Sequence, residues 1–375
     1  MSVEGITSAF QTGFAQGAHA ASAAEGAKGV FMGHTVSASA TSPASLLADA
    51  AEELGFSVDR TKDYEISQRK QRETGDTGRK LLERYQAMMQ QAGKGESLNN
   101  LVESFKKLAD REAMQKALGE AFPDPTDAWA ALDAAKDAFD ADPGVTNDQK
   151  AALAALTKDF LAENSEAVRL GLQGALAGAD YPELGGTDST RDFYRQTVGE
   201  FSSVNEVFTE IQQKYGANFD KAMDFLFAAI SNDIGCEEPS MEKTHLENVH
   251  QKLGIVRLTQ SAYRLCADML GRWQDVHGMH SPDLTPMKLL GDVVDLRGRS
   301  YVGQGLVDAI CRKAAPPDIE HEVIFLQELL STVRKFPVVL FDDDQGRMKV
   351  MDAVQSAVDD AINREDEYLA SLEEE

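Results

Sequence analysis

The sequence predicts an all-α protein, an elongated array of helical bundles that follows a flexible N-terminal segment. Three observations lead to this prediction. From residue 76 onward, apolar residues recur at intervals of three and four, which is the spacing of one helix face. The predicted helices start at Asp, Ser or Thr and stop at Gly- or Pro-containing breaks. No run of strand length alternates between apolar and polar residues.

Residues 1–75 differ in composition from the rest of the chain. Ala, Ser, Gly and Thr dominate this segment, and its few apolar residues are isolated. Such a segment buries too little apolar surface to offset the entropy lost on ordering, so we expect it to be disordered when alone. A flexible tail is the simplest interpretation. A short apolar patch that contains Phe31 and Val36 is a candidate contact point for a partner protein.

The segment 76–180 is predicted to form a first helical bundle. Its first helix carries apolar residues between Leu81 and Met89 and ends at a glycine-rich turn. A second helix is predicted over Ser97–Leu118. The third begins at Asp124, which is followed by proline, and the fourth begins at Thr146; both are favourable residues for the start of a helix.

The segment 187–280 is predicted to form a second bundle. The break at Tyr181–Thr187, which contains proline and two glycines, separates it from the first. Helices are predicted over Ser189–Tyr215 and Asn218–Asp233. A long helix is then predicted over Ser240–Val276, because its apolar residues keep a nearly heptad spacing over about 30 residues, which is longer than most globular helices.

The segment 284–375 is predicted to form a third bundle. A helix over Leu284–Leu296 precedes a second helix that starts after the two prolines before Asp318. The apolar stretch Phe336–Phe341 then joins this second helix to a last one, giving a helical hairpin. Neither helix of a hairpin can bury its apolar stripe alone, so the Leu284–Leu296 helix should complete the bundle. The apolar stripe of the last helix is expected at Met351, Val354, Val358, Ile362, Leu369 and Leu372.

Composition narrows the function classes. The net charge is −25 at pH 7, which disfavours nonspecific binding to nucleic acid or to an anionic membrane. The sequence shows neither a secretory signal peptide nor a membrane span. The three cysteines, Cys236, Cys266 and Cys311, are odd in number and far apart, so we expect buried thiols in a reducing compartment, with no disulfide.

The histidines offer the best test of an enzyme. His245 and His250 each follow a glutamate by three residues, which is the Glu-x-x-His spacing of helical di-iron sites. Both pairs lie on one predicted helix, however, and five residues place them roughly 140° apart around its axis. We therefore expect surface histidines beside acids, with no metal, no cofactor and no catalytic residue.

The C-terminal segment carries the most specific pattern. It reads Phe336-Pro337-Val338-Val339-Leu340-Phe341, then Asp342-Asp343-Asp344-Gln345, and it continues into a helix that ends at Glu365-Asp366-Glu367-Tyr368-Leu369. This pattern resembles the TyeA-like domain that ends the type III secretion gatekeepers, the YopN–TyeA or HrpJ-like family. The resemblance covers 287–375 closely, and it covers 77–276 through the pattern and order of helices.

The resemblance implies a protein that holds and releases protein partners and has no catalytic site. The implied partners are the type III export apparatus with its sorting components and the complexes of translocators with secretion chaperones. The implied location is the bacterial cytoplasm at the secretion apparatus, with secretion of the protein itself through an uncleaved N-terminal signal. Residues 1–75 would then hold this signal and a chaperone-binding stretch.

The candidate contact residues in the C-terminal domain are Phe336, Phe341 and the acidic turn Asp342, Asp343 and Asp344. Both phenylalanines suit a buried core equally well, because Phe is usually buried. Two other function classes stay open at this point: a helical metal-dependent enzyme, and an unrelated helical scaffold or adaptor.

Overall fold

The structure is a computed structural model, and it describes residues 30–31, 34–35, 78–236, 238–296, 304–341 and 343–373. Two strands of two residues each, β1 (Val30–Phe31) and β2 (His34–Thr35), pair antiparallel. They are too short to change the fold class. The rest of the segment 1–75, and with it the predicted disorder, lies outside the described residues.

All other regular structure in the described residues is helical, which confirms the predicted all-α class. The helices, in chain order, are α1 (Gly78–Gln91), α2 (Gly95–Phe105), α3 (Arg111–Ala121), α4 (Pro125–Ala141), α5 (Asn147–Gly178), α6 (Gly186–Tyr194), α7 (Val204–Tyr215), α8 (Phe219–Gly235), α9 (Lys243–Asp275), α10 (Pro286–Asp295), α11 (Gln304–Ala314), α12 (Ile319–Val333) and α13 (Asp344–Glu373). Within the described part of the chain, no helix has both the length and the apolar character needed to cross a membrane.

The chain divides into two compact units. The first unit is Phe56–Arg257, and the second contains Leu258–Glu375. The boundary lies inside α9, the long helix that the heptad-like spacing predicted. The finer division into domains at 76–180, 187–280 and 284–375 stays a prediction.

The core of the first unit is built by α1 to α5. The aromatic side chains of Tyr85, Phe105 and Phe139 lie at its centre with at most 1% of their surface exposed. Helix starts follow the predicted caps. Asp124 accepts hydrogen bonds from the first turn of α4, and Thr146 forms a capping box with Gln149 at the start of α5.

Two helices predicted as continuous are interrupted in the first unit. The predicted helix Ser97–Leu118 is wrong as a single helix, because α2 ends at Phe105 and Asp110 caps a new helix by accepting a hydrogen bond from Ala113 N at 3.0 Å. The predicted helix Ser189–Tyr215 is likewise two helices. A π-helical turn at Arg195–Gly199 ends the first, and α7 starts afterwards. Apolar spacing alone does not reveal such caps, because the stripe continues across them.

Helices α5 and α6 pack closely across the predicted break at Tyr181–Thr187. The contact is made possible by glycine: a Cβ added at Gly174 would lie 2.6 Å from Tyr194 Cβ and 2.9 Å from the backbone oxygen of Thr190. Small residues let helix backbones approach where a larger side chain would hold them apart.

The second unit contains the predicted hairpin. Helices α12 and α13 pack against each other, and α10 lies within the predicted range Leu284–Leu296. Helix α11 was not predicted from the sequence, although it packs on both α12 and α13. Trp273, near the end of α9, is buried in this unit, where its ring lies edge-on to Phe325 with ring centroids 5.3 Å apart.

Candidate protein-interaction site

The turn between α12 and α13 places two of the predicted contact residues in the core. Phe336 has 0% and Phe341 has 1% of its surface exposed, and the two rings stack with centroids 6.2 Å apart. The segment between them forms a short 3₁₀ turn, Val338–Phe341. In this conformation neither ring is available to a partner, so their contact role stays a prediction, and their evident role is to hold the hairpin together.

The acidic residues after this turn are used to start α13. Asp343 Oδ1 accepts a hydrogen bond from Gly346 N at 2.7 Å, which satisfies a free N–H of the first turn. Asp344 pairs with Arg347, whose side chain is fully buried, at 3.2 Å. Asp342 lies outside the described residues. Asp343 keeps an exposed side chain, which a partner can reach.

The two candidates in the N-terminal segment are not tested by the structure. The backbone of Phe31 lies in β1, but its side chain and all of Val36 fall outside the described residues. The contact role of this apolar patch stays a prediction.

The end of α13 exposes large apolar side chains that the sequence analysis did not single out. Tyr368 is 54% and Leu369 is 52% exposed. Leu369 was expected on the packed stripe of this helix, and that expectation is wrong. The reason lies in helix length. Helix α12 has 15 residues and α13 has 30, so the two measure about 22 Å and 45 Å.

The register of the hairpin shows how far α12 extends along α13. Arg364 of α13 pairs with Glu322, which lies in the first turn of α12, at 2.8 Å. Only three residues of α12 precede Glu322, so most of the nine residues of α13 that follow Arg364 extend past the start of α12. Acidic residues Glu365, Asp366 and Glu367 flank the exposed Tyr368. Acidic residues around large apolar side chains form a surface suited to binding another protein.

The first unit contains a buried network of charges. Arg191, with 5% of its surface exposed, pairs with Asp127 at 3.1 Å and with Asp124 at 3.2 Å. Lys94 also pairs with Asp127 at 2.9 Å, and Tyr85 donates a hydrogen bond to the same carboxylate at 2.7 Å. These groups lie on α1, α4 and α6, at the N-cap of α4 and on the turn before α2, and they connect these elements through the core.

The pKa shifts in this network follow from its pairing. Burial alone would raise the pKa of Asp124, but the hydrogen bond from Arg195 and the charge of Arg191 outweigh it, and the pKa lies below its ordinary value. Burial and the Asp127 carboxylate raise the pKa of Tyr85. The network therefore favours a charged Asp124 and a neutral Tyr85, as expected of a structural ion-pair cluster.

The histidine prediction needs one correction. His250 was expected at the surface, but it is buried with 6% of its surface exposed, and its ring lies edge-on to Phe227 at 5.1 Å. His245, half-buried, contacts the backbone oxygen of Val198 at 3.0 Å. In the described residues, no group of three or more His, Cys, Asp or Glu side chains is arranged to hold a metal ion.

The three cysteines all lie in the described residues, and none of them forms a disulfide. Cys266 and Cys311 are buried, and burial raises the pKa of each thiol to about 12. Such thiols stay protonated at neutral pH and react slowly. Cys236 was also expected to be buried, and that expectation is wrong: it lies half-buried just after the end of α8, where it accepts a hydrogen bond from Gln173 Nε2 at 3.0 Å.

Comparison with known proteins gives two family matches in chain order. Residues 46–215 match the HrpJ-like domain, and residues 287–367 match TyeA. The second match contains α12 and most of α13 and ends at Glu367, so the exposed Tyr368 and Leu369 follow it directly.

Solved structures of similar fold extend over most of the chain. A chain of the CopN-Scc3 complex superposes with a TM-score of 0.56 at 15% identity, over 71% of this chain and 94% of that one. Methylated MxiC of Shigella flexneri gives a TM-score of 0.57 at 16% identity, over 72% and 95%. CopN of Chlamydia pneumoniae gives 0.55 at 14% identity, over 72% and 95%. At these identities the likeness establishes a shared fold.

Proposed function

Since this chain belongs to the HrpJ-like, TyeA-containing family of type III secretion gatekeepers, we propose that it regulates export by occupying protein partners and not by catalysis. In this proposal it controls the order and timing of translocator and effector export. The free energy of binding would then regulate export. While the gatekeeper is bound to its partners, effectors are held back, and loss of one contact shifts the equilibrium toward the unbound gatekeeper.

One observation carries the proposal. The two family domains follow one another on a single chain, HrpJ-like at 46–215 and TyeA at 287–367. The family is regulatory, so the domain order predicts regulation of secretion.

We propose two groups of partners. One is the export apparatus with its sorting components, and the other is the set of complexes between translocators and secretion chaperones. The similar fold found in the CopN-Scc3 complex supports binding of a further protein. We place the protein in the bacterial cytoplasm at the apparatus, and we propose that it is itself secreted by means of an uncleaved signal within residues 1–75.

Deleting the gene from the bacterium that encodes the protein should disturb the order of export. We expect the ratio of effectors to translocators in the secreted fraction to change severalfold under conditions that normally hold effectors back. Quantitative mass spectrometry of the culture medium measures this ratio. Wild-type chain supplied from a plasmid should restore the ratio.

The same plasmid also tests the secretion signal. A chain that lacks residues 1–75 should remain inside the cell, whereas the full chain should appear in the medium. A strain with an inactive export apparatus is the control for leakage by lysis.

An unchanged ratio of effectors to translocators in the strain that lacks the gene would contradict the proposed function.

A further inference from the structure

The last turns of α13 project past its partner helix in the hairpin. Nine residues of α13 follow Arg364, whereas three residues of α12 precede Glu322, the ion-pair partner of Arg364. At a rise of about 1.5 Å per residue, α13 therefore runs about 9 Å beyond the start of α12. The side chains at positions 366–371 are all exposed. Residues 365–373 are called the projecting end below.

The apolar face that is buried along α13 continues into the projecting end. Met351, Val354 and Val358 are at most 3% exposed, and both α11 and α12 pack on α13. Leu369 lies 18 residues after Met351, which is five full turns, and Tyr368 lies within about 40° of Val354 around the helix axis. Both side chains are nevertheless more than half exposed. A partner that packs on them would extend an interface that the hairpin already contains.

Exposed apolar side chains of this size are few in the part of the chain that the structure describes. The large hydrophobic residues exposed there are Val276, Tyr368 and Leu369, and two of these three are neighbours on the projecting end. Tyrosine is common at protein interfaces, because its ring provides apolar area and its hydroxyl remains hydrogen-bonded. The pair therefore marks this end of the helix as a surface for another protein.

The charge of the projecting end indicates the chemistry of that protein. After Arg364 the sequence contains six acidic residues and no basic one, and Arg364 itself is occupied by Glu322 and Asp360. The last turn of α13 holds no basic residue, although the helix dipole favours cations at this end. Lysine or arginine on a partner would supply positive charge both to the carboxylates and to the helix terminus.

The same charge disfavours other occupants of the apolar face. A second copy of this chain would bring an identical acidic end and a net charge of −25, and like charges repel. Nucleic acid and the surface of an anionic membrane are negative as well. A protein with a basic surface is the occupant that satisfies both the apolar side chains and the carboxylates.

We propose that the projecting end docks as a helix into an apolar groove of a partner protein whose rim carries lysine and arginine. Tyr368 and Leu369 enter the groove, and the exposed carboxylates of Asp366 and Glu367 pair with the rim. The inference rests on the proposed function, because it describes the chemistry of a partner through which the protein would regulate export.

Site-specific photocrosslinking of the full chain tests the inference in the bacterium that encodes it. The photoreactive residue p-benzoylphenylalanine, in place of Tyr368, should form a covalent adduct with another protein on irradiation. Mass spectrometry of the crosslinked peptide should place the contact in an apolar segment with lysine or arginine beside it. The same photoreactive residue in place of Asp352, which is exposed elsewhere on α13, should not give this adduct.

Charge reversal then tests the role of the carboxylates. Adding Asp366→Lys and Glu367→Lys to the photoreactive chain should lower the adduct yield at least tenfold, because the rim would then meet like charge. Asp352→Lys with Asp359→Lys reverses two exposed carboxylates elsewhere on α13 and is the matched control, which should keep the yield. Cellular abundance of each chain shows that the variants fold.

Three results would overturn the inference: no adduct at position 368, an adduct formed only between two copies of this chain, or a contact segment without lysine or arginine. An adduct yield that resists the reversal of Asp366 and Glu367 would overturn it too. If deleting the gene still changes the ratio of effectors to translocators, the proposed function stands and this inference alone fails.

Discussion

Replacing Arg191 by Met should destabilise the first unit by about 3–5 kcal/mol, the range found when one partner of a buried ion pair is removed. Arg191 faces two carboxylates, Asp124 at 3.2 Å and Asp127 at 3.1 Å. Lys94 compensates Asp127 in part, but Asp124 would keep only Arg195. Met fills a similar volume, so the loss comes from the ion pairs that Arg191 no longer makes and not from a cavity.

The chain allows this effect to be measured in the first unit alone. It has two tryptophans, Trp129 in α4 and Trp273 in the second unit. In a Trp273→Phe background, the fluorescence of Trp129 reports unfolding of the first unit in urea. Arg169→Ala is the matched control, because Arg169 pairs with Glu238 at the surface and such pairs contribute less than about 1 kcal/mol.

The Arg191 effect should depend on pH in a defined direction. The pKa of Asp124 is lower in the folded protein than its ordinary value of 3.8. Its ion pairs therefore stabilise the fold fully above that value, and this contribution is lost as pH falls through the lower, folded-state pKa. The difference between wild type and Arg191→Met should shrink below about pH 4. Equal stability of the two proteins at pH 7 would contradict the account of the network.

The second large effect is expected from adding one methyl group at Gly174. Its Cβ would lie 2.6 Å from Tyr194 Cβ and 2.9 Å from the backbone oxygen of Thr190, so α5 and α6 must move apart. Overpacking of this kind costs about 1–3 kcal/mol, and the clash with backbone places Gly174→Ala at the upper end. The better helix propensity of Ala, worth about 1 kcal/mol, offsets only part of the cost.

A matched control gives the opposite sign. Gly119 lies in α3, where an added Cβ would meet no atom within 4 Å. Gly119→Ala should therefore stabilise the first unit by about 0.5–1 kcal/mol through helix propensity alone. Urea unfolding followed by Trp129 measures both variants. If Gly174→Ala proved neutral or stabilising, the close packing of α5 on α6 would be wrong.

The sequence predicted those features of the fold that follow from the apolar face of each helix. The stripes and caps gave the all-α class, the α12–α13 hairpin and the long α9 helix. Interruptions at Asp110 and at Arg195–Gly199 escaped detection because the apolar spacing continues across them. The packing of α5 on α6 depends on Gly174 having no side chain, and a lone glycine in a helix does not show which helix it faces.

The candidate site was predicted less well, and the reason is register. The sequence predicts the apolar stripe of α13, but it does not show how far along α13 the shorter helix α12 extends. Leu369 continues the stripe and was expected to be buried, yet the pairing of Arg364 with Glu322, the fourth residue of α12, shows that α12 begins only three residues beyond this pair. Similarly, the sharing of Arg364 between Glu322 and Asp360 depends on how α12 packs on α13, which no local pattern encodes.

The most direct test of docking through exposed surfaces is the export profile of a strain whose chain carries Tyr368→Glu and Leu369→Glu. Both side chains are more than half exposed, so the fold should be unaffected. Ala370→Glu with Ser371→Glu adds the same charge on neighbouring exposed positions and is the control. We expect the first pair of substitutions to give the ratio of effectors to translocators seen in the gene deletion. The control pair should give the wild-type ratio, with both proteins folded and at normal abundance. A wild-type profile for the Tyr368 and Leu369 variant would contradict it.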